Sequence, residues 1–412
     1  MDVTKANEKA VERILESQAI LEGMDLAINV VPGMEENTIH HAGPPIAWDD
    51  MCGPMKGSII GAAIFEELIN SEDEIDTAIA EGQIRLDANH HHDTVGPMAG
   101  PVSASMPVYI VRNDPHGNKA YAPVHEGLGK VLSMGALGEE VIENLRWMRD
   151  VGGPAISRAL EIGGEINITE IIAEGVIRGD ELHNRCKAST SLFLDWLVPH
   201  LLEATESHSE FLDVFEALRR NHQTFATPAM AASKVTMDSI QGLEGSTIMT
   251  AYSRNGTTVG IRVSGLEDAW FVSPAPYVDG AYFAGYSEED ANPDLGDSAI
   301  VETGGLGGFV QAAAPAISQL VGRSAEDSLN FTRSMYEITL AEHRHYRIPI
   351  LDFRGSPFGV DVRKVVETGV LPKCNTAISH KEPGIGMIGA GMVSPPMECF
   401  EDAVVALAES ME

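Results

Sequence analysis

The stretch "STIMTAYSRNGTTVGIRVSG", Ser246 to Gly265, is the strongest indicator of the fold in this chain. Two runs rich in β-branched residues flank Asn255-Gly256, a pair that tolerates the positive φ angles of a type I′ turn. The stretch therefore predicts an antiparallel β-hairpin. Other strand and helix patterns surround it without the regular alternation of a doubly wound sheet, so we predict an α+β fold.

Three stretches of different character make up the chain. Residues 1–152 alternate short apolar runs with turns rich in Gly and Pro, residues 153–241 are a succession of helical patterns, and residues 242–412 return to strands and glycine-rich loops. This order predicts an N-terminal α+β domain, an inserted all-helical subdomain and a C-terminal α+β domain, with boundaries at residues 152 and 241.

The charge of the chain restricts its partners. The 412 residues include 61 acidic and 28 basic side chains, which give a net charge of −33. A field this negative repels nucleic acid and anionic membranes, so we expect neither as a partner. Because salt screens such repulsion, we also expect salt to stabilise the fold.

Sequence features point to a cytoplasmic location. No apolar run reaches the roughly 18 residues of a membrane-spanning helix, and no secretory signal core is visible. The four cysteines are far apart and form no CxxC pair, which favours reduced thiols.

A run of three histidines, His90, His91 and His92, lies in "NHHHDTVGPMAG". In an extended loop alternate side chains face opposite sides, so His90 and His92 are expected to share one side. Three interpretations stay open: metal-free proton or anion chemistry, a metal site, and a polar structural loop. The further metal ligands that the chain offers are His40, His41, Glu126 and His183.

Several polar segments supply candidate binding residues. "GDELHNRCKAST" places His183 and Arg185 at a predicted helix start, where anions bind readily, although an ordinary capped helix start is the alternative. The candidate catalytic residues are His90, His91, His92 and His183. The candidate substrate- and anion-binding residues are Arg185, Asn255, Gly256, Arg354, Asn375, His380 and Lys381.

Two further motifs have less specific signals. "GYSEEDANPDLGDSAIVETGG" contains Asp290, Asn292, Asp294, Asp297 and Glu302, which we expect to pin a loop or to hold a cationic side chain. Calcium or magnesium binding is the alternative. "GIGMIGAG", Gly384 to Gly391, lacks the acid of a dinucleotide-binding motif and predicts a tight anion-binding loop.

Several segments together resemble a known family. They are "HHAGPPIAWDDMCGPMKGSIIGA", "HHHDTVGPMAG", "HEGLGKVLSMGA", "DELHNR", "SRNGTTVGIRVSG", "FAGYSEEDANPDLGDSAIVETGGLGGF", "FRGSPFGVD" and "PPMECF". They are similar to the AllG-type (YlbE/YahG-like) family of proteins of unknown function, one branch of which is a subunit of oxamate carbamoyltransferase. The resemblance covers residues 6–405 and implies an α+β fold with an inserted helical domain. It also implies that the chain acts in a complex with an acyl-CoA-synthetase-like subunit and a third subunit. Together they would move a carbamoyl group between oxalurate and phosphate.

No residue role follows from the resemblance, so roles are assigned on chemistry alone. Carbamoyl transfer requires cations for phosphate and carboxylate, for which we choose Arg185, Arg354 and Lys381. Loop amides near Gly256 or Gly305 would stabilise the tetrahedral intermediate. A histidine, from residues 90–92 or His183, would move the amine proton.

Two other functions remain open. One is a non-catalytic scaffold or ligand-binding subunit for the acyl-CoA-synthetase-like partner, and the other is a metal-dependent amidohydrolase built on the histidine run. The sequence requires no cofactor, but it leaves a divalent metal possible. A homo-oligomer is expected.

Overall fold

The computed structural model describes residues 2–410 and consists of helices packed on several small sheets. Its helices are α1 (Val3–Glu16), α2 (Ala27–Val30), α3 (Gly53–Phe65), α4 (Ile75–Ala80), α5 (Glu139–Trp147), α6 (Gly153–Gly163), α7 (Ile168–Ile177), α8 (Lys187–Ala204), α9 (His208–Arg220), α10 (Ala226–Asp238), α11 (Ile300–Thr303), α12 (Pro315–Leu320), α13 (Ala325–Ile338), α14 (Val362–Thr368) and α15 (Met397–Ser410). A π-helical segment, Met148–Gly152, joins α5 to α6.

The strands are short and mostly antiparallel. They are β1 (Ala19–Leu26), β2 (Thr38–His41), β3 (Arg85–Ala88), β4 (Val102–Ser103), β5 (Pro107–Asn113), β6 (Lys119–Pro123), β7 (Ile166–Asn167), β8 (Met249–Asn255), β9 (Thr258–Val263), β10 (Phe271–Pro274), β11 (Asp279–Tyr282), β12 (Leu295–Gly296), β13 (Thr339–Ile348), β14 (Arg354–Val360), β15 (Cys374–Ser379) and β16 (Met387–Val393). Small antiparallel sheets with helices against them are typical of α+β proteins, so the predicted fold class is confirmed.

The first sheet, in the order β6-β5-β1-β7, shares one hydrophobic core with the helices that follow it. Tyr109 and Val111 of β5 are fully buried in the same cluster as Phe193 and Leu197 of α8. Burial of such side chains contributes about 1.5–3 kcal/mol each, so the contact between sheet and helices is a major source of stability. The domain boundaries at residues 152 and 241 remain a proposal.

The predicted hairpin is formed by β8 and β9, which pair with Arg254 opposite Val259 in the sheet β10-β9-β8-β12. The turn type was predicted wrongly. Asn255 still belongs to β8, and among the turn residues only Gly256 has a positive φ, +79°. This excludes a type I′ turn, which needs positive φ at both central residues. The side chain of Asn255 instead accepts from the backbone N–H groups of Thr257 and Thr258.

Only the first half of the glycine-rich segment Gly384 to Gly391 is a loop, and anion binding by that loop stays a prediction. The second half of the segment lies in β16, the central strand of the sheet β11-β16-β15. A Cβ on Gly391 would lie 2.4 Å from the carbonyl oxygen of Asp279 in β11. The glycines therefore allow two strands to approach closely.

Two neighbouring short segments position the site described below. β12 pairs with the end of β8, and a 3-10 turn, Asp297–Ala299, leads from β12 directly into α11. Among residues 2–410 no helix combines the length and apolar character needed to cross a bilayer.

Candidate active site

His183 lies at the centre of a hydrogen-bonded group of three side chains. Its Nδ1 is 3.0 Å from both carboxylate oxygens of Glu302, and its Nε2 is 2.8 Å from the Oγ of Ser298. A carboxylate only accepts, so we assign the proton to Nδ1, and Nε2 then accepts from the Ser298 hydroxyl. Hydroxyl, imidazole and carboxylate thus follow one another as in a Ser-His-acid triad.

The loop that carries His183 runs between α7 and α8 and is fixed by Glu181. One oxygen of this buried carboxylate accepts from the backbone N–H groups of Asn184 and Arg185, and the other accepts from the side-chain amide of Asn375 at 3.1 Å. The carbonyl of Glu181 accepts from the N–H of Gly307 at 2.7 Å. Burial raises the pKa of Glu181, while His183 and these hydrogen bonds act against that rise.

Glu302 is held by a turn of glycines that follows α11. Its Oε1 accepts from the backbone N–H groups of Gly308 and Asn375, each at 3.1 Å. Gly307 has a φ of +56°, and a Cβ there would lie 2.0 Å from Oε1 of Glu302. The motif "GGLGG" thus encloses a carboxylate, and Gly307 has to be a glycine.

The turn before Ser298 is fixed by Asp297, which is fully buried. Its carboxylate accepts from the backbone N–H groups of Gly43 at 2.9 Å and Gly96 at 3.0 Å, from the Asn89 side chain at 2.8 Å, and from the Ser253 hydroxyl. Burial raises the pKa of Asp297, and these hydrogen bonds oppose the rise. The residue before Ser298 in the chain is therefore held firmly in place.

Ser298 and His183 line one small pocket with a cavity volume of about 40 Å³. His125, Asn184 and Gln223 also line it. The Nδ2 of Asn184 and the Oε1 of Gln223 are buried without a hydrogen-bond partner among residues 2–410. Buried polar atoms normally have partners, so this donor and this acceptor suit a ligand that carries an amide group.

Comparison with known proteins gives a consistent picture. The family described as "Oxamate carbamoyltransferase subunit AllG" matches residues 84–298. The chain is 47% identical over 407 residues to "Uncharacterized protein YahG" of Escherichia coli (strain K12), covering 99% of this chain and 86% of the relative. It is 42% identical over 412 residues to "Oxamate carbamoyltransferase subunit AllG" of the same organism, covering 99% and 98%. The chain belongs to the AllG family.

A solved structure extends this AllG-family likeness to three dimensions. It is the crystal structure of a conserved protein of unknown function from Enterococcus faecalis V583, with a TM-score of 0.98 and 46% identity. The match covers 100% of this chain and 98% of the other. The predicted family membership is confirmed.

In this AllG-family chain the histidine run forms a 3-10 turn, Asn89–His92, so the extended loop that we expected is wrong. His91 Nδ1 and His92 Nε2 each lie 3.0 Å from the carboxylate of Asp87, whereas His90 is buried with Nε2 3.7 Å from Asp297. His91 and His92 therefore share a side, and the expectation that His90 and His92 would do so is wrong. The catalytic role of the three histidines stays a prediction.

The three predicted cations have partners within the AllG-family chain. Arg185 donates to the carbonyl of Gly179 at 3.0 Å and lies 3.5 Å from Asp180. The other two lie at separate places. Arg354 pairs with Glu342 at 2.7 Å and stacks 3.5 Å over the ring of Tyr336, and Lys381 donates to the carbonyl of Glu289 at 2.6 Å.

The remaining predicted residues divide between the site and the turns. Asn375 contacts both Glu181 and Glu302 and therefore belongs to the His183 group. Asn255 and Gly256 lie at the hairpin turn, and His380 accepts from the N–H of Glu382 at 2.9 Å.

Sequence reasoning missed Ser298, Gln223 and Cys374. It named Glu302 only as an acid that pins a loop, holds a cationic side chain or binds calcium or magnesium. The one available signal was the four-residue spacing of Ser298 and Glu302, which puts both on one face of a helix. The expectation that the acidic segment holds a cationic side chain is confirmed. Asp294 pairs with Arg254 at 2.7 Å, and both side chains are fully buried.

Three atoms of the site are close enough for a metal ion. Ligand atoms of His183, Glu302 and Cys374 lie within 4.8 Å of one another, the one such group found in residues 2–410. Burial raises the pKa of the Cys374 thiol and the Glu302 carboxylate raises it further, which keeps the thiol protonated. The Glu302 oxygens already accept from three N–H donors, so the group is satisfied without an ion.

Proposed function

We propose that the chain is a subunit of a carbamoyltransferase that moves a carbamoyl group between a small ureido acid, such as oxalurate, and phosphate. Its 42% identity to a protein named as an oxamate carbamoyltransferase subunit supports the assignment. The observation that carries it is the His183 imidazole, held by Glu302 on one side and directed on the other at Ser298, which lines the same small pocket.

The reaction needs a group that both accepts and donates a proton. When the ureido carbonyl carbon is attacked, the attacking oxygen loses a proton, and the departing amide nitrogen of oxamate must gain one. The Nε2 of His183 is free to do both, because Glu302 holds Nδ1 in its protonated form. A fixed imidazole of this kind is worth about 10²–10⁴ in rate.

The pocket also offers groups for the ureido substrate. The unpartnered Nδ2 of Asn184 and Oε1 of Gln223 complement a carbonyl oxygen and an amide N–H. A substrate that satisfied both would recover the free energy that their burial costs, about 1–3 kcal/mol for each group.

The charges of phosphate and carboxylate point to a role for partner subunits. Arg185, Arg354 and Lys381 have partners within the chain, and the net charge of −33 repels anions. We therefore propose that the acyl-CoA-synthetase-like subunit and the third subunit supply cations beside the pocket. A cytoplasmic homo-oligomer remains part of the proposal.

The test is carbamoyl phosphate formation from oxalurate and phosphate, measured for the chain alone and with its two partner subunits. In the full complex, His183→Gln is expected to lower kcat at least about 100-fold, because the proton carrier is lost. His208→Gln, on an exposed helix start, is the matched control and should keep kcat within about twofold of wild type.

The alternatives give different results in the same assay. A scaffold predicts that His183→Gln leaves kcat unchanged in the complex. A metal-dependent amidohydrolase predicts stoichiometric zinc or manganese by elemental analysis and loss of activity on treatment with a chelator. Either result would contradict the proposal.

A further inference from the structure

We propose that Ser298 is a covalent nucleophile that carries the transferred group as an O-carbamoyl ester. The identity of the group rests on the proposed function. The nucleophile itself rests on geometry, because the Oγ of Ser298 lies 2.8 Å from the imidazole nitrogen that faces away from Glu302. A hydroxyl is activated when a positioned base accepts its proton, and a third group orients that base.

The backbone turns sharply just before Ser298. β12 ends at Gly296, whose φ of +127° turns the chain sharply into the 3-10 turn Asp297–Ala299 that contains Ser298. A Cβ at Gly296 would lie 3.0 Å from the backbone nitrogen of Met98 and 3.2 Å from the Oγ of Ser298. A serine on a strand-to-helix turn is the arrangement that presents the nucleophile in α/β hydrolases, although the G-x-S-x-G sequence is absent here.

Burial gives the three side chains different roles. The Glu302 carboxylate is fully buried and the His183 side chain is 4% exposed, so their pairing is shielded from water. Ser298 is only partly buried and lines the pocket, so of the three side chains it is the one placed for contact with a ligand there. Cys374, which lies against the same imidazole, is fully buried and held as a thiol.

The reaction balances in two steps. In the first, the Oγ of Ser298 bonds to the ureido carbonyl carbon and its proton passes to Nε2 of His183. The bond from that carbon to the oxamate nitrogen breaks, and the nitrogen takes the proton. In the second, a phosphate oxygen bonds to the same carbon, the phosphate proton reaches His183, and the bond to Oγ breaks as Oγ regains a proton.

A covalent intermediate makes the first step measurable without phosphate. The full complex is incubated with oxalurate and isotopically labelled oxamate, and label entering oxalurate is followed over time. Wild type is expected to exchange label, and intact mass spectrometry should show the chain with one added carbamoyl group. Ser298→Ala should abolish both signals and lower transfer at least about 1000-fold.

Two further variants make the result specific. Ser209→Ala, on an exposed helix surface, is the matched serine control and should exchange label as wild type does. Ser298→Cys keeps a small nucleophilic side chain in place and should regain a carbamoyl mass increase, on sulfur, which guards against misfolding of the alanine variant.

A fluorophosphonate reagent separates failure of this inference from failure of the proposed function. If transfer is fast but wild type neither exchanges label nor reacts with the reagent at Ser298, the nucleophile is wrong and the proposed function stands. If the reagent labels Ser298 in a His183-dependent way but oxalurate is not used, the nucleophile stands and the proposed substrate is wrong. Transfer by Ser298→Ala within about twofold of wild type would also overturn the nucleophile.

Discussion

At the scale of single residues, the site depends on buried carboxylates, each of which accepts hydrogen bonds from several donors. Asp297, Glu181 and Glu302 are fully buried, and each accepts at least three hydrogen bonds. Burying a charge without such partners is costly, so these bonds determine where each carboxylate lies. Each then fixes a neighbour: the Ser298 turn, the His183 loop or the imidazole itself.

Residue-scale prediction from sequence named two members of the His183 group, whose roles stay predictions. His183 was selected as a proton carrier and Asn375 as a polar loop residue for substrate or anion binding, and the structure places both beside Glu302. Ser298 was not selected, since a serine shows its reactivity only through its neighbours. Those neighbours are far apart in sequence.

A buried histidine should make stability depend on pH. Burial lowers the pKa of His125 from 6.5 to about 4, so the unfolded chain binds a proton that the folded chain excludes. Stability from this group is present above pH 6.5 and is lost as pH falls towards 4, by up to about 1.4 kcal/mol per pH unit. His125→Asn should reduce the loss between about pH 6.5 and pH 5 by up to about 2 kcal/mol, measured by urea unfolding.

The control variant for this experiment replaces a solvent-exposed histidine. His208→Asn, on an exposed helix start, should keep the wild-type difference in unfolding free energy between the two pH values. Equal pH dependence in wild type and His125→Asn would show that His125 is not protonated on unfolding.

At the scale of secondary structure elements, the β8–β9 hairpin shows both a success and an error of prediction. The hairpin was predicted correctly, but its turn was misplaced by one residue. Asn255 uses its side chain to hold Thr257 and Thr258 instead of adopting a positive φ. Composition alone does not distinguish these two uses of asparagine.

The glycine turn after α11 gives the next prediction. Gly307→Ala would place a methyl group 2.0 Å from Oε1 of Glu302 and push that carboxylate away from His183. We expect kcat for carbamoyl transfer to fall at least about tenfold, together with a loss of about 1–2 kcal/mol in unfolding free energy from the left-handed φ.

Gly117→Ala separates the two effects. Gly117 has a φ of +75° with no atom within 4 Å of an added Cβ, so it shares the conformational cost without the clash. Its kcat should match wild type while its stability falls by a similar amount. If both variants kept full activity, contact between Glu302 and His183 would not matter for turnover.

At the scale of the whole molecule, local patterns predicted the class of fold but could not predict the site. Alternating polarity and helical spacing are properties of neighbouring residues, and they identified the α+β class. The pairs His183–Glu302 and His183–Ser298 are 119 and 115 residues apart in the chain. Only the packing of the loop after α7 against α11 and β15 brings them into contact.

The net charge of −33 predicts a response to salt. Raising sodium chloride from about 0.1 M to about 1 M shortens the screening length from about 10 Å to about 3 Å and weakens repulsion among the acidic side chains. The Tm should rise by a few degrees. Chloride is used because sulfate stabilises proteins in general, and an unchanged or lower Tm would contradict the prediction.

Asp297 and Ser298 are consecutive, and Asp297 is bonded to Asn89, the residue before the histidine run. A displacement of Asn89 would thus reach Ser298 through the Asp297 side chain and the one rigid peptide unit that joins Asp297 to Ser298. Remote substitutions there would slow turnover while leaving substrate affinity intact. Mutational scanning of the family would then identify the histidines as essential for activity even if none of them contacts a ligand.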